Sequence, residues 1–253
     1  MPSSISTLFA FVFGTIFGSF LNVLLWRLPE GKGIGGRSMC RSCGHTLAWY
    51  DLVPIASFLI LSGKCRYCRK PISPRYPVVE AVTGTVLALS FVFAQPPADP
   101  GTMIVSIYVL LVFISLFFFD SLYMILPDAL VIPAIGIVGL YDLVFVADPR
   151  AFFISALLLA GFFAILYTVS RGRWLGFGDV KFAALIGLVF GYPVGLLVVV
   201  LGIWIGAAIG VALLISGRAG RGYALPFGAF LSAAAIFFTI FQHEATYFQQ
   251  FFR

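Results

Sequence analysis

Charge is scarce in this chain. Lys, Arg, Asp and Glu make up 10% of its 253 residues, against 61% hydrophobic, whereas a soluble domain carries about 25% charged residues. With a mean hydropathy of +1.05, that scarcity excludes an ordinary soluble domain. The apolar stretches run solid and do not alternate with polar residues, which excludes a membrane β-barrel. Several approach or exceed the roughly 20 residues that a spanning helix needs. The expected fold is therefore all-α and polytopic, with about eight transmembrane helices at 5–26, 78–95, 103–120, 128–147, 151–169, 179–191, 194–215 and 225–241. The sixth is short and glycine-rich, and only Gly191, Tyr192 and Pro193 separate it from the seventh; the two form either a helical hairpin or a partly re-entrant element. No basic residue precedes the first apolar run, while Arg27 follows it, so it reads as a retained span and not as a cleaved signal peptide.

The basic residues gather on one side of these spans. Arg27, Lys32, Arg37, Arg41, Lys64, Arg66, Arg69, Lys70 and Arg75 lie between the first and second. Arg171, Arg173 and Lys181 flank the fifth and sixth, and Arg218 and Arg221 join the seventh and eighth. Only Arg150 and Arg253 fall opposite, so 14 of 16 share a side. Basic loops stay in the cytoplasm, which predicts outward-facing termini and an organisation of first span (1–27), cytoplasmic insert (28–77) and multi-span region (78–253). The net charge of +6 follows from this topology and from attraction to anionic inner-leaflet lipid. No nucleic-acid-binding motif accompanies it, so the partner that the charge implies is the lipid bilayer and not nucleic acid.

Cysteine is also scarce, and all four fall in the insert: Cys40-Arg-Ser-Cys43 and Cys65-Arg-Tyr-Cys68, with 21 residues between the pairs. Two CxxC pairs at this separation match a tetrahedral zinc site. Four thiolates on Zn²⁺ leave a negative centre that Arg41, Lys64, Arg66, Arg69 and Lys70 can offset. Two disulfides or four free thiols are the alternatives; a reducing cytoplasm disfavours the disulfides. A closed four-cysteine site offers no open position to substrate or water, so its expected role is structural. His45, just beyond the first pair, reads as a polar loop residue. Between the pairs, DLVPIASFLILSGK is apolar but interrupted by Pro54. With only about 10 apolar residues in a row it is too short to span, and is expected on the membrane surface or packed on the zinc module.

Against this background two aspartates stand out. Asp120 ends the run IVSIYVLLVFISLFFFD, and Asp179 lies in WLGFGDVKFAALIGL. A carboxylate beside hydrocarbon is costly and tends to be functional, and the topology puts both at the cytoplasmic ends of their spans. Peptide hydrolysis needs a water deprotonated as it attacks and a proton delivered to the departing amine. Two carboxyls in one low-dielectric site hold a proton between them and can do both. Gly176 and Gly178 permit positive φ and close backbone approach, so an extended substrate can lie beside Asp179. Pro127 helps end the turn after Asp120. Taken singly, each residue has a plainer reading: Asp120 as a helix cap, Asp128 as an N-terminal helix charge, Asp179 as a partner of Lys181. Asp142 and Asp148 read as surface charges, as do Asp99 and Glu244, and His243 as a tail residue.

The blocks GSFLNVLLWRLP (18–29), the CxxC pairs, SPRYPVVE (73–80), the segment from Asp120 to Asp128, GFGDVK (176–181) and LPFGAF (225–230) occur in order along nearly the whole chain. Together they resemble the type IV prepilin leader peptidases, the bacterial branch of the membrane GxGD aspartic proteases. The resemblance implies Asp120 and Asp179 as the catalytic pair, and prepilins or pseudopilins as substrates, cleaved after a glycine at the cytoplasmic face of the inner membrane. In many members it also implies N-methylation of the new terminal residue from S-adenosylmethionine, an activity associated with the N-terminal cytoplasmic region. No strand–Gly-loop–helix unit is present to hold that cofactor, and the sequence assigns it no residues. Glu80 is expected to pair with Arg75, and Asn22 to make an interhelical hydrogen bond. Two positions depart from the family pattern: Leu122, often aspartate in the first motif, and Ala229, where a PFGP-like block reads PFGA. The alternatives are a peptidase without methyl transfer and a non-catalytic transporter or scaffold.

Overall fold

In a computed structural model of the chain, residues 4–94, 99–218 and 224–241 are described; Arg221, His243, Glu244 and Arg253 lie outside them. Among the described residues the chain is helical, and its extended pairing is confined to two isolated β-bridges, Met39–Thr46 and Lys64–Pro71. Contacts divide it into two units, Met1–Pro96 and Pro97–Arg253.

The first unit holds α1 (Ser4–Arg27), a 3₁₀ turn (Trp49–Leu52), α2 (Ala56–Ile60) and α3 (Arg75–Phe93). Small residues let α1 and α3 meet backbone to backbone. A Cβ on Gly18 would stand 2.7 Å from the Glu80 Cα, and one on Gly14 2.8 Å from the Gly84 Cα. Such packing joins helices where lipid supplies no hydrophobic drive. Asn22 adds the expected interhelical bond, its Nδ2 donating to the Tyr76 carbonyl at 3.1 Å. At the end of α1 the buried Arg27 guanidinium donates to the carbonyls of Ile34 and Gly35, which gathers the glycine-rich loop around it. The apolar segment between the cysteine pairs does not span. Only Ala56–Ile60 of it is α-helical, and Trp49, Leu59 and Ile60 are exposed.

The second unit holds α4 (Pro100–Tyr123), α5 (Asp128–Phe145), α6 (Arg150–Ser170), α7 (Phe177–Phe190), α8 (Val194–Ile215) and α9 (Phe227–Ile240). Among the described residues six helices (α1, α3, α4, α5, α6 and α8) are long and apolar enough to cross a membrane. The other two expected spans, α7 and α9, have 14 residues each. At about 1.5 Å per residue they fall short of a hydrocarbon core about 30 Å thick. Neighbours offset this for α7, which packs on α5, α6, α8 and α9 and fully buries Phe182, Ala183, Leu185 and Ile186. It is joined to α8 through residues 191–193.

Asp99, expected as a surface charge, is exposed and caps α4, accepting the Thr102 N–H at 2.7 Å. Asp148 is exposed as expected. Asp142 is not a surface charge: it is 5% exposed, and its Oδ2 has no partner. It lies in the last turn of α5, where the side chain turns into the protein while Leu143, Val144 and Phe145 face out.

Candidate active site and metal centre

α4 continues past its expected end at Asp120 to Tyr123, and closes at Met124, whose φ of 54° is left-handed and whose N–H reaches the Asp120 carbonyl at 2.9 Å. Asp120 therefore sits in the final helical turn, 6% exposed. Pro127 caps the next helix, and Asp128 in its first turn forms an ion pair with Lys181. Lys181 is thus engaged by Asp128, and Asp179 has a different partner. Asp179 is the third residue of α7, 8% exposed, and its Oδ2 accepts the N–H of Gly176, the N-cap residue, at 2.9 Å. This is the reach-back half of a capping box, and it fixes the carboxylate over the start of the helix.

The two glycines of the GxGD motif do not use positive φ. Gly176 has a φ of −81°, and Gly178 lies inside α7. Close approach is what Gly178 provides, since a Cβ there would press 3.1 Å from the Leu126 Cβ. Leu126 also abuts Gly228 in the first turn of α9, where a Cβ would meet its Cδ2 at 3.0 Å and the Asp120 Cγ at 3.1 Å. Through these contacts the end of α4 and the starts of α7 and α9 converge.

Asp120 is held from α9. Its Oδ2 accepts the Ala229 N–H at 2.7 Å, one of the donors that a helix N-terminus leaves without an intrahelical partner. The LPFGAF block therefore builds the site with its backbone. Sequence reasoning missed Leu126, Gly228 and Ala229 as parts of it, although a proline such as Pro226 is a helix-start signal. Each aspartate thus has one oxygen tied to a main-chain N–H. Two buried carboxyls fixed in this way have the chemistry of a general acid and a general base.

The four cysteine sulfurs of the first unit lie within 4.8 Å of one another. They are free thiols joined by no disulfide, and the Cys40 and Cys68 sulfurs are 3.8 Å apart. Tetrahedral zinc with Zn–S near 2.3 Å sets sulfurs roughly 3.8 Å apart, so the donor set fits that ion. The two pairs sit on matching turns: Cys40 N–H bonds to His45 O and Gly44 N–H to Cys40 O, while Cys65 N–H bonds to Lys70 O and Arg69 N–H to Cys65 O. Gly44 and Arg69 take the left-handed φ that each turn requires, 72° and 60°. Burial acts to raise the Cys40 thiol, but the N–H groups of Ser42 and Cys43 bring it down to about 7. Cys68 is pushed up to about 11: the Lys70 N–H lowers it, but burial and the neighbouring thiols outweigh that contact. Four thiols this close resist common ionisation until a dication joins them. His45 is not one of the ligands; its ring lies on Tyr67, with centroids 3.6 Å apart.

Residues 12–94 match the bacterial peptidase A24 N-terminal domain, and residues 107–211 the type IV leader peptidase family. The chain is 31% identical over 276 residues to a prepilin leader peptidase/N-methyltransferase of Burkholderia pseudomallei (strain 1026b), covering 94% of this chain and 87% of the relative. A protein of the same description from Klebsiella pneumoniae is 34% identical over 199 residues, covering 73% and 85%. One from Pseudomonas putida is 32% identical over 253 residues, covering 89% and 87%. No solved structure matches. The likeness takes in the cysteine-bearing first unit and both aspartates of the second, and on that extent the chain belongs to the type IV leader peptidase family.

Proposed function

We propose that this protein is an aspartic endopeptidase of the bacterial inner membrane. It removes the leaders of type IV prepilins and pseudopilins after a glycine, at the cytoplasmic face, and then N-methylates the new terminal residue. The observation that carries this reading is the convergence of Asp120 and Asp179, each held by a backbone N–H. The substrate's apolar helix lies among the spans, with its leader in the cytoplasm, so that the scissile bond reaches the depth of the two carboxyls. One carboxylate takes a proton from water as its oxygen attacks the carbonyl carbon. The other, protonated, gives its proton to the amide nitrogen as the C–N bond breaks, leaving a new carboxyl and a new amine. The preference of basic residues for one side orients this site toward the cytoplasm.

Cys40, Cys43, Cys65 and Cys68 would hold a structural zinc ion and so fold the insert. When bound, S-adenosylmethionine supplies the methyl group, its sulfonium leaving as a neutral thioether as the product amine gains the carbon and loses a proton. The experiment is to incubate the purified protein in detergent with a leader-bearing prepilin, with and without S-adenosylmethionine, and read the product by mass spectrometry. Cleavage after the leader glycine is expected in both, with the mass of one methyl group added only when the donor is present. Intact substrate after incubation with folded protein would refute the peptidase reading, and an unmethylated product the second activity.

A further inference from the structure

We propose that the cavity within the first unit, walled by α1, α3 and the insert, binds the sulfonium methyl donor. The inference rests on the methylating reading above. The cavity encloses about 390 Å³, within the range of small-molecule sites, roughly 300–1,000 Å³. Its wall includes Asn22, Asp51, Phe58, Tyr76 and Glu80, a mainly apolar surface set with hydrogen-bond acceptors.

Asn22 points most directly to a ligand. It is 2% exposed, and its amide orientation is fixed, because Nδ2 donates to two carbonyls, Gly18 at 3.2 Å and Tyr76 at 3.1 Å. Only the nitrogen can do so, which leaves Oδ1, buried and without a partner, as an unused acceptor. Buried acceptors are costly unless a donor meets them. Glu80 is the second. It is 7% exposed, and its Oε2 takes the Ile55 N–H at 2.7 Å. Ile55 itself has φ 62° and ψ −52°, a region that a β-branched residue enters only against strain. Strain of this kind gathers at ligand sites.

The cations on the wall are Arg27, Arg41, Arg66 and Lys70. Arg66 is paired with Asp51 at 2.7 Å, while Arg27 is held by loop carbonyls and Arg41 by the Trp26 ring, contacts that keep their positive charge. The wall therefore suits a ligand of mixed charge: a cationic or N–H-bearing part for the Glu80 carboxylate and Asn22 Oδ1, a carboxylate for the basic side chains, and an aromatic body to lie against Phe58 and Tyr76. A sulfonium nucleoside with an amino-acid tail has all of these. A ligand without donors would leave Asn22 Oδ1 unmatched.

The test is isothermal titration of S-adenosylmethionine, and of S-adenosylhomocysteine, which lacks the sulfonium charge, into the purified full-length protein in detergent. The same titrations are made on Glu80→Gln and Asn22→Ala, with prepilin cleavage as the check on folding. The wild type is expected to bind one S-adenosylmethionine per chain. Each variant should bind it at least about tenfold more weakly, as expected for losing one bond to a charged or buried group. Glu80→Gln should weaken S-adenosylhomocysteine less than S-adenosylmethionine, a difference that a merely structural role would not produce. Wild-type affinity in both variants, beside a wild type that binds and methylates, would overturn this cavity and leave the methylating reading standing. A wild type that neither binds nor methylates would overturn both. If Asn22→Ala loses cleavage through misfolding, Glu80→Gln, which keeps the bond to Ile55, decides alone.

Discussion

At the scale of single residues, the site depends on backbone donors as much as on its carboxyls. Asp120 is fixed by the Ala229 N–H, and Gly228 beside it leaves no room for a side chain. Gly228→Ala should therefore displace the Asp120 carboxylate and slow prepilin cleavage by about 10- to 100-fold, the scale on which a small misplacement of a catalytic group acts. Helical content, followed by circular dichroism, should not change; a variant cleaving at the wild-type rate would show that Asp120 does not need this support. The aspartates themselves were legible in the sequence because a carboxylate beside hydrocarbon is rare enough to be noticed. Ala229 was not, because a donated N–H leaves no mark in side-chain identity. Asn22 was readable as an interhelical donor, but not as an unused acceptor, which depends on where its second atom falls. Asp142 was misread because closeness to the end of a span says nothing about which face of the final turn a residue occupies.

At the scale of elements, the insert is the part whose stability depends on a few polar contacts. Its two cysteine turns predict one zinc ion per chain by elemental analysis. Cys65→Ser should remove that ion and lower the melting temperature of the first unit, and retention of stoichiometric zinc would refute the four-cysteine assignment. Asp51 ties the 3₁₀ turn to the second cysteine pair through Arg66 at 2.7 Å and Tyr67 at 3.0 Å. Burial works to raise its carboxyl, but these two partners and the Ala48 N–H hold it below the ordinary carboxylate value. A depressed folded-state value contributes stability above the unfolded pKa, and that contribution is lost as pH falls through the folded one. Asp51→Asn should thus lower the melting temperature of the zinc-loaded insert at about pH 7, where the full contribution is present, and the difference from the wild type should begin to shrink as pH falls toward about 4. The contact of α1 with α3 makes a separate prediction: Gly18→Leu has no space against Glu80 and should destabilise the first unit by about 1–3 kcal/mol, read from its thermal unfolding. The spacing of the cysteines made their cluster legible, and the apolar runs made the helices so. The short length of α7 was legible too, since the sixth apolar run is itself short, whereas α9 starts only at Phe227 and ends at Ile240, inside the run of 225–241 expected for it.

At the scale of the whole molecule, the chain combines a unit that carries a cysteine cluster and a cavity with a second that carries two aspartates. α3 groups with α1 and the insert because small residues on both helices admit backbone contact, a pairing that hydropathy does not encode. The apolar segments were nonetheless sufficient to predict an all-helical polytopic chain, and their charge asymmetry carries the expectation that Asp120 and Asp179 lie at one level. The account stands on those two residues acting as a pair. The most direct measurement compares Asp120→Asn and Asp179→Asn with the wild type, each purified from the membrane and incubated with a leader-bearing prepilin, with the initial rate of cleavage counted by mass spectrometry. Each substitution alone is predicted to reduce the rate by about 10³-fold or more, the scale of a lost general acid or base, while insertion and zinc content remain those of the wild type. Cleavage at the wild-type rate by either variant would contradict the paired-carboxyl mechanism.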